Sequence, residues 1–159
     1  MKIELLVGMV ASGKSTYAKR RAQDGAIIVN DDAIVQAVHG GNYFLYKPKL
    51  KPLYKSIENH ILYVAIASLQ DVVVDKGVNI RKQSRVRWIS LARSLDCEIV
   101  AIVFPKESAE THAKRRYSTD NRKLPYETWL KVAKIHEAEY SEPTLDEGFS
   151  KIIYAEEFV

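Results

Sequence analysis

Short runs of apolar residues, each bounded by polar residues or turn formers, recur along the chain. The first run, residues 3–7, stops at Gly8, and a later run is closed by Pro105. Runs of this kind are typical of strands buried on both faces of a sheet. We therefore predict strands over residues 3–7, 26–29, 72–74, 97–104 and 151–154.

Between these runs the apolar residues recur every three or four positions, the spacing of a helix with one buried face. The longest such segment follows Pro52, where Leu53, Ile57 and Ile61 begin the repeat. Two segments break the pattern. Residues 43–51 mix aromatic residues with three lysines and a proline and are predicted to form a loop, and the polar, basic residues 117–124 are predicted to form a lid. Helices are predicted over residues 14–23, 32–38, 52–70, 82–94, 108–116 and 125–138.

Strands and helices alternate along the chain, and no internal repeat or linker interrupts them. This order predicts an α/β fold: a parallel sheet of four to five strands with right-handed crossovers and helices on both faces. We expect residues 1–159 to form a single domain, with a helical lid around residues 117–124.

The chemistry is concentrated where the first predicted strand ends. The segment Gly8-Met9-Val10-Ala11-Ser12-Gly13-Lys14-Ser15 fits the phosphate-binding pattern G-x-x-x-x-G-K-[ST], and Thr16 follows it. The two glycines leave room for backbone amides to wrap a phosphate chain, and the following helix points its positive end at the same anion. We expect nucleotide contacts from Gly8, Ala11, Ser12, Gly13, Lys14, Ser15 and Thr16.

The predicted ligand is ATP with Mg²⁺, because Lys14 adds a charge between the β- and γ-phosphates and Ser15 offers a hydroxyl to the metal. The chain has no Asn-Lys-x-Asp string of the kind that reads guanine. This absence favours ATP, and GTP stays open as the alternative.

Carboxylates follow the next two predicted strands. Asp31 and Asp32 come after the second strand, and Asp75 ends the third. A phosphoryl acceptor needs a carboxylate to orient its hydroxyl and take its proton, which suits Asp31; helix capping is the alternative for both members of the pair. Asp75 stands where a Walker-B carboxylate would hold Mg²⁺, and a plain turn residue is its alternative.

Basic residues gather in two clusters, one over residues 81–87 and one over residues 114–123, and each could also be a solvated helix face. An arginine that moves onto the phosphates would neutralise charge on the leaving group. Arg115, Arg116 and Arg122 flank the lid and are the candidates. The four histidines show no metal-ligand spacing with cysteine and are expected at the surface or in packing.

Composition narrows the class of protein further. The 159 residues are 47% apolar and carry a net charge of +4, which excludes a disordered chain and leaves polyanions as plausible partners. No apolar run approaches the roughly 20 residues that span a bilayer. The single cysteine, Cys97, cannot form an internal disulfide, so we expect a cytoplasmic protein, in the host cytoplasm if the chain is viral.

From residue 2 to about residue 139 the chain resembles the 5′-kinase domain of bacteriophage polynucleotide kinases, in a P-loop kinase family that also holds zeta-toxin-like enzymes. The phosphate loop and the Asp31-Asp32 pair carry the resemblance. Asn79, Arg85 and Trp88 keep the spacing of a further family motif, and Lys114-Arg115 followed by Pro125 fits the family's lid.

The resemblance implies a role for several of these residues. Asp31 would be the general base, and Arg115 would grip the β-phosphate, with Arg122 assisting. The acceptor would be a nucleic acid, DNA or RNA, and a homo-oligomer would fit the family. The residues expected to bind the acceptor are Asp32, Asn79, Arg81 and Arg85, with Lys47 and Lys82 as further candidates.

The sequence departs from the family at two places. Two extra residues separate Asp75 from Asn79, which weakens the metal role of Asp75. Ile34 stands where the end-healing phage enzyme has an arginine that contacts the substrate phosphate. Recognition of the acceptor must therefore differ from that of the phage enzyme. We therefore expect either of two acceptors, the usual 5′-OH end or a hydroxymethylated base in DNA.

Two other functions remain open. A kinase of a small molecule, such as a nucleoside, a sugar or an antibiotic, would use the same loop and the same Asp31. A nucleotide-dependent switch without an acceptor would use the loop alone, and it predicts that Asp31→Asn leaves activity in place.

Overall fold

The structure, a computed structural model, describes residues 1–156, and its strands form one parallel sheet in the order β2-β3-β1-β4-β5. The predicted α/β fold is therefore confirmed. Residues 157–159 of the predicted single domain lie outside the described residues. The strands are β1 (Lys2–Val7), β2 (Ile27–Asn30), β3 (Val72–Asp75), β4 (Glu98–Val103) and β5 (Lys151–Tyr154).

Within residues 1–156, six α-helices connect and flank the strands, close to the predicted bounds. The segment predicted as a loop over residues 43–51 instead contains two 3₁₀ turns, Tyr43–Leu45 and Pro48–Leu50, because Asn42 caps the first turn by accepting the Phe44 N–H. The helices are α1 (Lys14–Gln23), α2 (Asp31–Val38), α3 (Lys51–Ala67), α4 (Lys82–Ser94), α5 (Ala109–Ser118) and α6 (Tyr126–Glu139).

The helices cover both faces of the sheet. Alternate residues of β1 point to opposite sides: Leu5 joins a core with α2, α3 and α4, whereas Leu6 joins a core with α1. Helices α5 and α6 pack against each other through a third cluster that contains Trp129 and Ala113. Within the described residues, no helix is long and apolar enough to cross a membrane.

Because β1, β2 and β3 are parallel neighbours, their carboxyl ends meet at one edge of the sheet. The segments that leave this edge are the loop before α1, the start of α2 and the 3₁₀ turn Gly77–Ile80. In open parallel sheets this edge is where ligands bind. The phosphate loop and the predicted carboxylates are therefore brought together by the order of the strands.

Candidate active site

The loop from Gly8 to Gly13 joins β1 to α1 with little room for side chains. A Cβ atom on Gly8 would collide with Ser12 Oγ and stand 3.0 Å from Phe104 Cβ. Gly13 has a left-handed φ of 100° and, as the residue before α1, offers no side chain to cap the helix amides. The amides of the first turn are thus presented to an anion, as a phosphate site requires.

The ammonium group of Lys14 lies inside this loop. It donates hydrogen bonds of 2.8 Å to Gly8 O and 2.7 Å to Met9 O. Burial lowers the pKa of Lys14 to about 8, and the carboxylates of Asp75 and Asp31 oppose that shift. All three charged groups therefore sit at one place, which joins the loop to the ends of β2 and β3.

Oxygen ligands suited to a divalent cation stand beside the loop. Ser15 Oγ donates a 3.0 Å hydrogen bond to Asp75 Oδ2, and Asn30 Nδ2 donates to the same oxygen at 3.2 Å. Asp75 is 5% exposed. A hydroxyl and a carboxylate at this spacing match the hard oxygen donors that Mg²⁺ prefers, so Ser15 and Asp75 fit the ion, with phosphate oxygens and water completing its shell.

Asp31 opens helix α2 without being its cap. The cap is Asn30, whose Oδ1 accepts the Ala33 N–H at 2.8 Å, so neither Asp31 nor Asp32 performs the capping role that was the alternative for them. Burial raises the pKa of Asp31 to about 6; Asp32 and Glu58 add to the shift, and Lys76 opposes it. A carboxyl group in this range is suited to proton transfer near neutral pH.

Asp31 and Asp32 line a cleft of about 720 Å³. One wall is a ladder of tyrosine rings: Tyr43 and Tyr46 are stacked with centroids 6.4 Å apart, and Tyr46 and Tyr54 with centroids 5.5 Å apart. The cleft is also lined by charged residues. Its cationic lining residues are Lys51, Lys55, Lys76, Arg81 and Arg87.

A buried ion-pair network forms the floor of the cleft. Glu58 is 1% exposed and accepts from Lys76 Nζ at 2.7 Å and from Arg87 Nη1 at 2.7 Å. The Arg87 guanidinium also lies 4.3 Å from the centre of a Trp88 ring. These contacts hold two of the cationic groups in place in the cleft that Asp31 also lines.

The lid between α5 and α6 is a folded turn organised by Asp120. Its carboxylate accepts the backbone N–H groups of Arg122 at 2.9 Å and Leu124 at 2.7 Å and the indole N–H of Trp129 at 2.9 Å. The turn presents Arg122 to the cleft: Arg122 Nη2 donates to Asp32 Oδ2 at 3.1 Å. The same guanidinium stands 4.3 Å from the Tyr43 ring centre.

The two arginines predicted to bind the nucleotide, Arg115 and Arg122, have different surroundings. Arg122 contacts Asp32 and Tyr43 at the cleft, and its expected assistance at the nucleotide stays a prediction. Arg115 lies in the last turn of α5 and forms an ion pair with Glu107 at 3.0 Å. Burial lowers the pKa of His112 one turn away, and the charge of Arg115 acts in the same direction. The expected contact of Arg115 with the nucleotide stays a prediction. Arg116 pairs with Asp120 at 3.8 Å and stacks on Trp129, so it belongs to the lid turn. Thr16 is exposed on the first turn of α1.

Two predicted acceptor-binding residues are structural instead. Asn79 is fully buried, and its side-chain amide donates to the carbonyls of Leu6 and Val74 at 3.2 and 3.4 Å. Arg85 is also fully buried, and its Nε and Nη2 donate to the two carboxylate oxygens of Glu147 at 2.9 and 3.1 Å. Neither side chain reaches the cleft, so both expectations are wrong.

The remaining predicted acceptor residues do reach the cleft or its margin. Asp32 and Arg81 line it, and Arg81 Nε lies 3.6 Å from Glu139. Ile34 is 7% exposed and belongs to the main core, which explains why it supplies no substrate contact. Of the two basic clusters, Arg81, Arg85, Arg87, Arg115, Arg116 and Arg122 each face a carboxylate, so neither cluster is a plain solvated face.

Sequence reasoning missed several residues of the site. The tyrosine ladder lies in and after the segment predicted to be a loop, and the closely spaced aromatics and lysines of residues 43–55 were the available signal. Lys76 follows Asp75 directly. Two of the histidines expected at the surface or in packing, His112 and His136, contact the phosphate loop. No pattern in the sequence indicated that contact.

The glycine-bounded loop, its buried lysine and the five-stranded parallel sheet define a P-loop kinase-like fold. The chain belongs to the AAA_33 family, an AAA domain family whose model matches residues 3–138. No curated protein sequence matches the chain. The resemblance to bacteriophage polynucleotide kinases is narrower than this family and stays a prediction.

Solved structures share the fold at low sequence identity. A candidate kinase from Chloroflexus aurantiacus J-10-fl is 14% identical, with a TM-score of 0.69 over 97% of this chain and 84% of that one. A gluconokinase from Sinorhizobium meliloti 1021 is 17% identical, with a TM-score of 0.56 over 96% and 81%. A chain of the Pnkp1/Rnl/Hen1 RNA repair complex is 20% identical, with a TM-score of 0.66 over 88% and 46%.

Proposed function

We propose that this protein transfers the γ-phosphoryl group of ATP to a hydroxyl group of a nucleic acid, either the 5′-OH end of a strand or a hydroxymethylated base in DNA. The observation that carries the proposal is the position of Asp31. Its carboxylate is close enough to act on the charge of Lys14 and also lines the cleft beside the loop. It therefore stands between a phosphate-binding loop and a space for an acceptor.

The reaction needs few protein groups. The acceptor oxygen forms a bond to the γ-phosphorus while the bond from that phosphorus to the β–γ bridging oxygen breaks, and ADP leaves. Asp31 orients the hydroxyl and accepts its proton. Lys14 and the amides of the loop stabilise the charge that develops on the phosphates, and Arg115, in the last turn of α5, supplies a further cation when it reaches them.

Ser15 and Asp75 are the protein ligands we assign to Mg²⁺. The ion neutralises charge on the β- and γ-phosphates when it is bound. Asn30 donates at 3.2 Å to the same Asp75 oxygen that Ser15 contacts, so the orientation of this ligand depends on the residue that also caps α2.

Charge at the mouth of the cleft supports a polyanionic acceptor. Lys47, Lys49, Lys51 and Lys55 are exposed and, in the part of the chain that the structure describes, form no ion pair. They lie beside the tyrosine ladder, and Phe44 next to it is 67% exposed. Cations that contact phosphates and aromatic rings on which bases stack are the two elements of a surface for single-stranded nucleic acid.

A small-molecule acceptor is the second candidate. The cleft of about 720 Å³ is large enough to enclose a nucleoside or a sugar, and its buried Glu58 network offers fixed polar contacts. Pockets of a few hundred Å³ or more are the usual size for small ligands. A gluconokinase shares the fold, although that likeness alone does not indicate the substrate of this protein.

Transfer of label from γ-³²P-ATP distinguishes the candidates. The acceptors are a 5′-OH oligonucleotide of DNA, one of RNA, duplex DNA with hydroxymethylated bases, and a panel of nucleosides and sugars including gluconate. We expect labelled nucleic acid with the wild-type protein and a rate lower by about 10²-fold or more with Asp31→Asn. Label in a small molecule alone would support the second candidate, and ATP hydrolysis that is unchanged in Asp31→Asn would indicate a nucleotide switch.

A further inference from the structure

Two histidines from the lid helices contact adjacent residues of the phosphate loop. His136 on α6 accepts the backbone N–H of Val10 through Nδ1 at 3.0 Å. His112 on α5 lies against the backbone of Ala11, and its Nε2 accepts the Glu107 N–H at 3.1 Å. The loop is thus held at two consecutive positions by two different helices.

The backbone at this point needs support. Ala11 has a left-handed φ of 53°, a conformation that L-residues with a Cβ atom adopt at an energetic cost. Such a residue persists where its surroundings hold it in place. His112 is fully buried against Ala11, so its ring cannot move away without opening the packing of α5.

His136 also reaches the segment that follows β3. A Cβ atom on Gly77 would stand 3.6 Å from His136 Cε1, which places the ring beside the turn after Asp75. One imidazole therefore contacts the phosphate loop, the turn behind the metal-ligand candidate and its own lid helix.

We propose that His112 and His136 are positioning residues that hold the Val10–Ala11 segment in the conformation that binds nucleotide phosphates. The contacts couple the two lid helices to the phosphate loop, so a movement of α6 changes the loop that binds the nucleotide. The inference rests on the proposed function only in taking a nucleotide as the ligand of the loop.

The chemistry of His136 agrees with this role. Nδ1 can accept a hydrogen bond only in the neutral ring. Burial lowers the pKa of His136 to about 4, and the charges of Lys14, His112 and Arg81 act in the same direction. The imidazole is thus neutral at physiological pH, with its proton on Nε2.

The test measures binding of Mg·ADP by calorimetry, without any acceptor, in His136→Leu and His136→Asn. Leucine removes the acceptor atom, whereas asparagine places an oxygen near the position of Nδ1. Losing a neutral hydrogen bond of this kind corresponds to roughly tenfold weaker binding, so we expect that loss in His136→Leu and a dissociation constant within about threefold of wild type in His136→Asn. His60→Leu, at an exposed position on α3, is the control and should bind as wild type does.

The outcomes separate this inference from the proposed function. Wild-type binding in His136→Leu, or equal losses in His136→Leu and His136→Asn, would overturn the positioning role while leaving the kinase proposal intact. A wild-type protein that binds no nucleotide would overturn both. If His136→Leu does not fold, amide exchange in the wild-type protein decides: slow exchange of the Val10 N–H supports the contact, and exchange as fast as in an open loop overturns it.

Discussion

The guanidinium of Arg122 donates a 3.1 Å hydrogen bond to the carboxylate of Asp32, although 90 positions separate the two residues in the chain. The contact closes the lid over the acceptor cleft, because Asp32 neighbours the proposed base and Arg122 also stacks on Tyr43 at 4.3 Å. An acceptor that enters the cleft must share or displace this pair. The lid therefore acts on the acceptor side of the site.

Arg122→Gln should raise the KM for the acceptor by about tenfold and leave the KM for ATP nearly unchanged, because a hydrogen bond to a charged group is worth roughly 1.5–3 kcal/mol. Arg115→Gln is the matched comparison: it should act on the KM for ATP or on kcat. Steady-state kinetics with each substrate varied in turn measures both. If Arg122→Gln raises the KM for ATP alone, Arg122 contacts the nucleotide and not the acceptor during the reaction.

The rate should fall below pH 6. Burial raises the pKa of Asp31 to about 6, and a carboxyl group accepts a proton only when it is ionised. We therefore expect kcat/KM for the acceptor to fall about tenfold per pH unit below that value and to level off above it. The residual activity of Asp31→Asn should lack this limb of the profile, and its kcat near pH 7.5 should be lower by about 10²-fold or more.

The same substitution should stabilise the protein. An acid whose pKa is raised on folding lowers the free energy of unfolding as pH rises from its unfolded to its folded pKa, and the loss persists at higher pH. Asp31→Asn removes that loss, so we expect a gain of about 3 kcal/mol at pH 7.5 that is mostly gone at pH 4. Urea unfolding at the two pH values measures it, and an unchanged stability at pH 7.5 would contradict the shifted pKa.

The exposed lysines should control binding of a polyanion. Lys51→Gln/Lys55→Gln should weaken binding of an oligonucleotide and reduce the slope of log K against log salt by about 1.4 for a single strand. Lys131→Gln/Lys134→Gln changes the same number of exposed lysines on α6, away from the cleft, and should leave the slope unchanged. Fluorescence anisotropy across a salt series measures it. If the two double substitutions weaken binding equally, the oligonucleotide responds to the net charge of the protein and not to the lysines at the cleft.

Glu147→Gln should destabilise the fold by about 3 kcal/mol or more, because the fully buried guanidinium of Arg85 loses its charge partner. Arg85→Met/Glu147→Leu, which removes both charges, should be less damaging than either single change. Glu107→Gln breaks the half-exposed pair with Arg115 and should cost under about 1 kcal/mol. Urea denaturation compares them. If the free energy of unfolding of Glu147→Gln is close to that of wild type, the buried pair contributes little to stability.

The sheet and the phosphate loop were predictable because they depend on local patterns. Apolar runs and helical spacing are properties of contiguous residues, and the loop Gly8–Ser15 needs its residues in sequence order. The ends of β2 and β3 follow from parallel topology, which places Asp31 and Asp75 near the loop before any coordinates are known.

The misassigned residues share a different cause. Whether Arg85 faces a substrate or a buried carboxylate depends on Glu147, 62 positions further along the chain, and no local pattern encodes that pairing. The same holds for Arg122 with Asp32 and for His136 with Val10, at separations of 90 and 126 positions. Residue type and spacing identify groups that can do chemistry, but long-range packing decides which of them face the site.

The match to the family model ends at residue 138, yet Arg85 within that span depends on Glu147 beyond it. A shortened protein that stops at the family boundary would keep the entire nucleotide loop and the proposed base. It would also lose β5, which pairs with β4, and the buried guanidinium of Arg85 would lose its carboxylate partner. The shortest segment that folds is therefore longer than the shortest segment that contains the reactive groups. Truncated proteins should be tested for folding before their activity is measured.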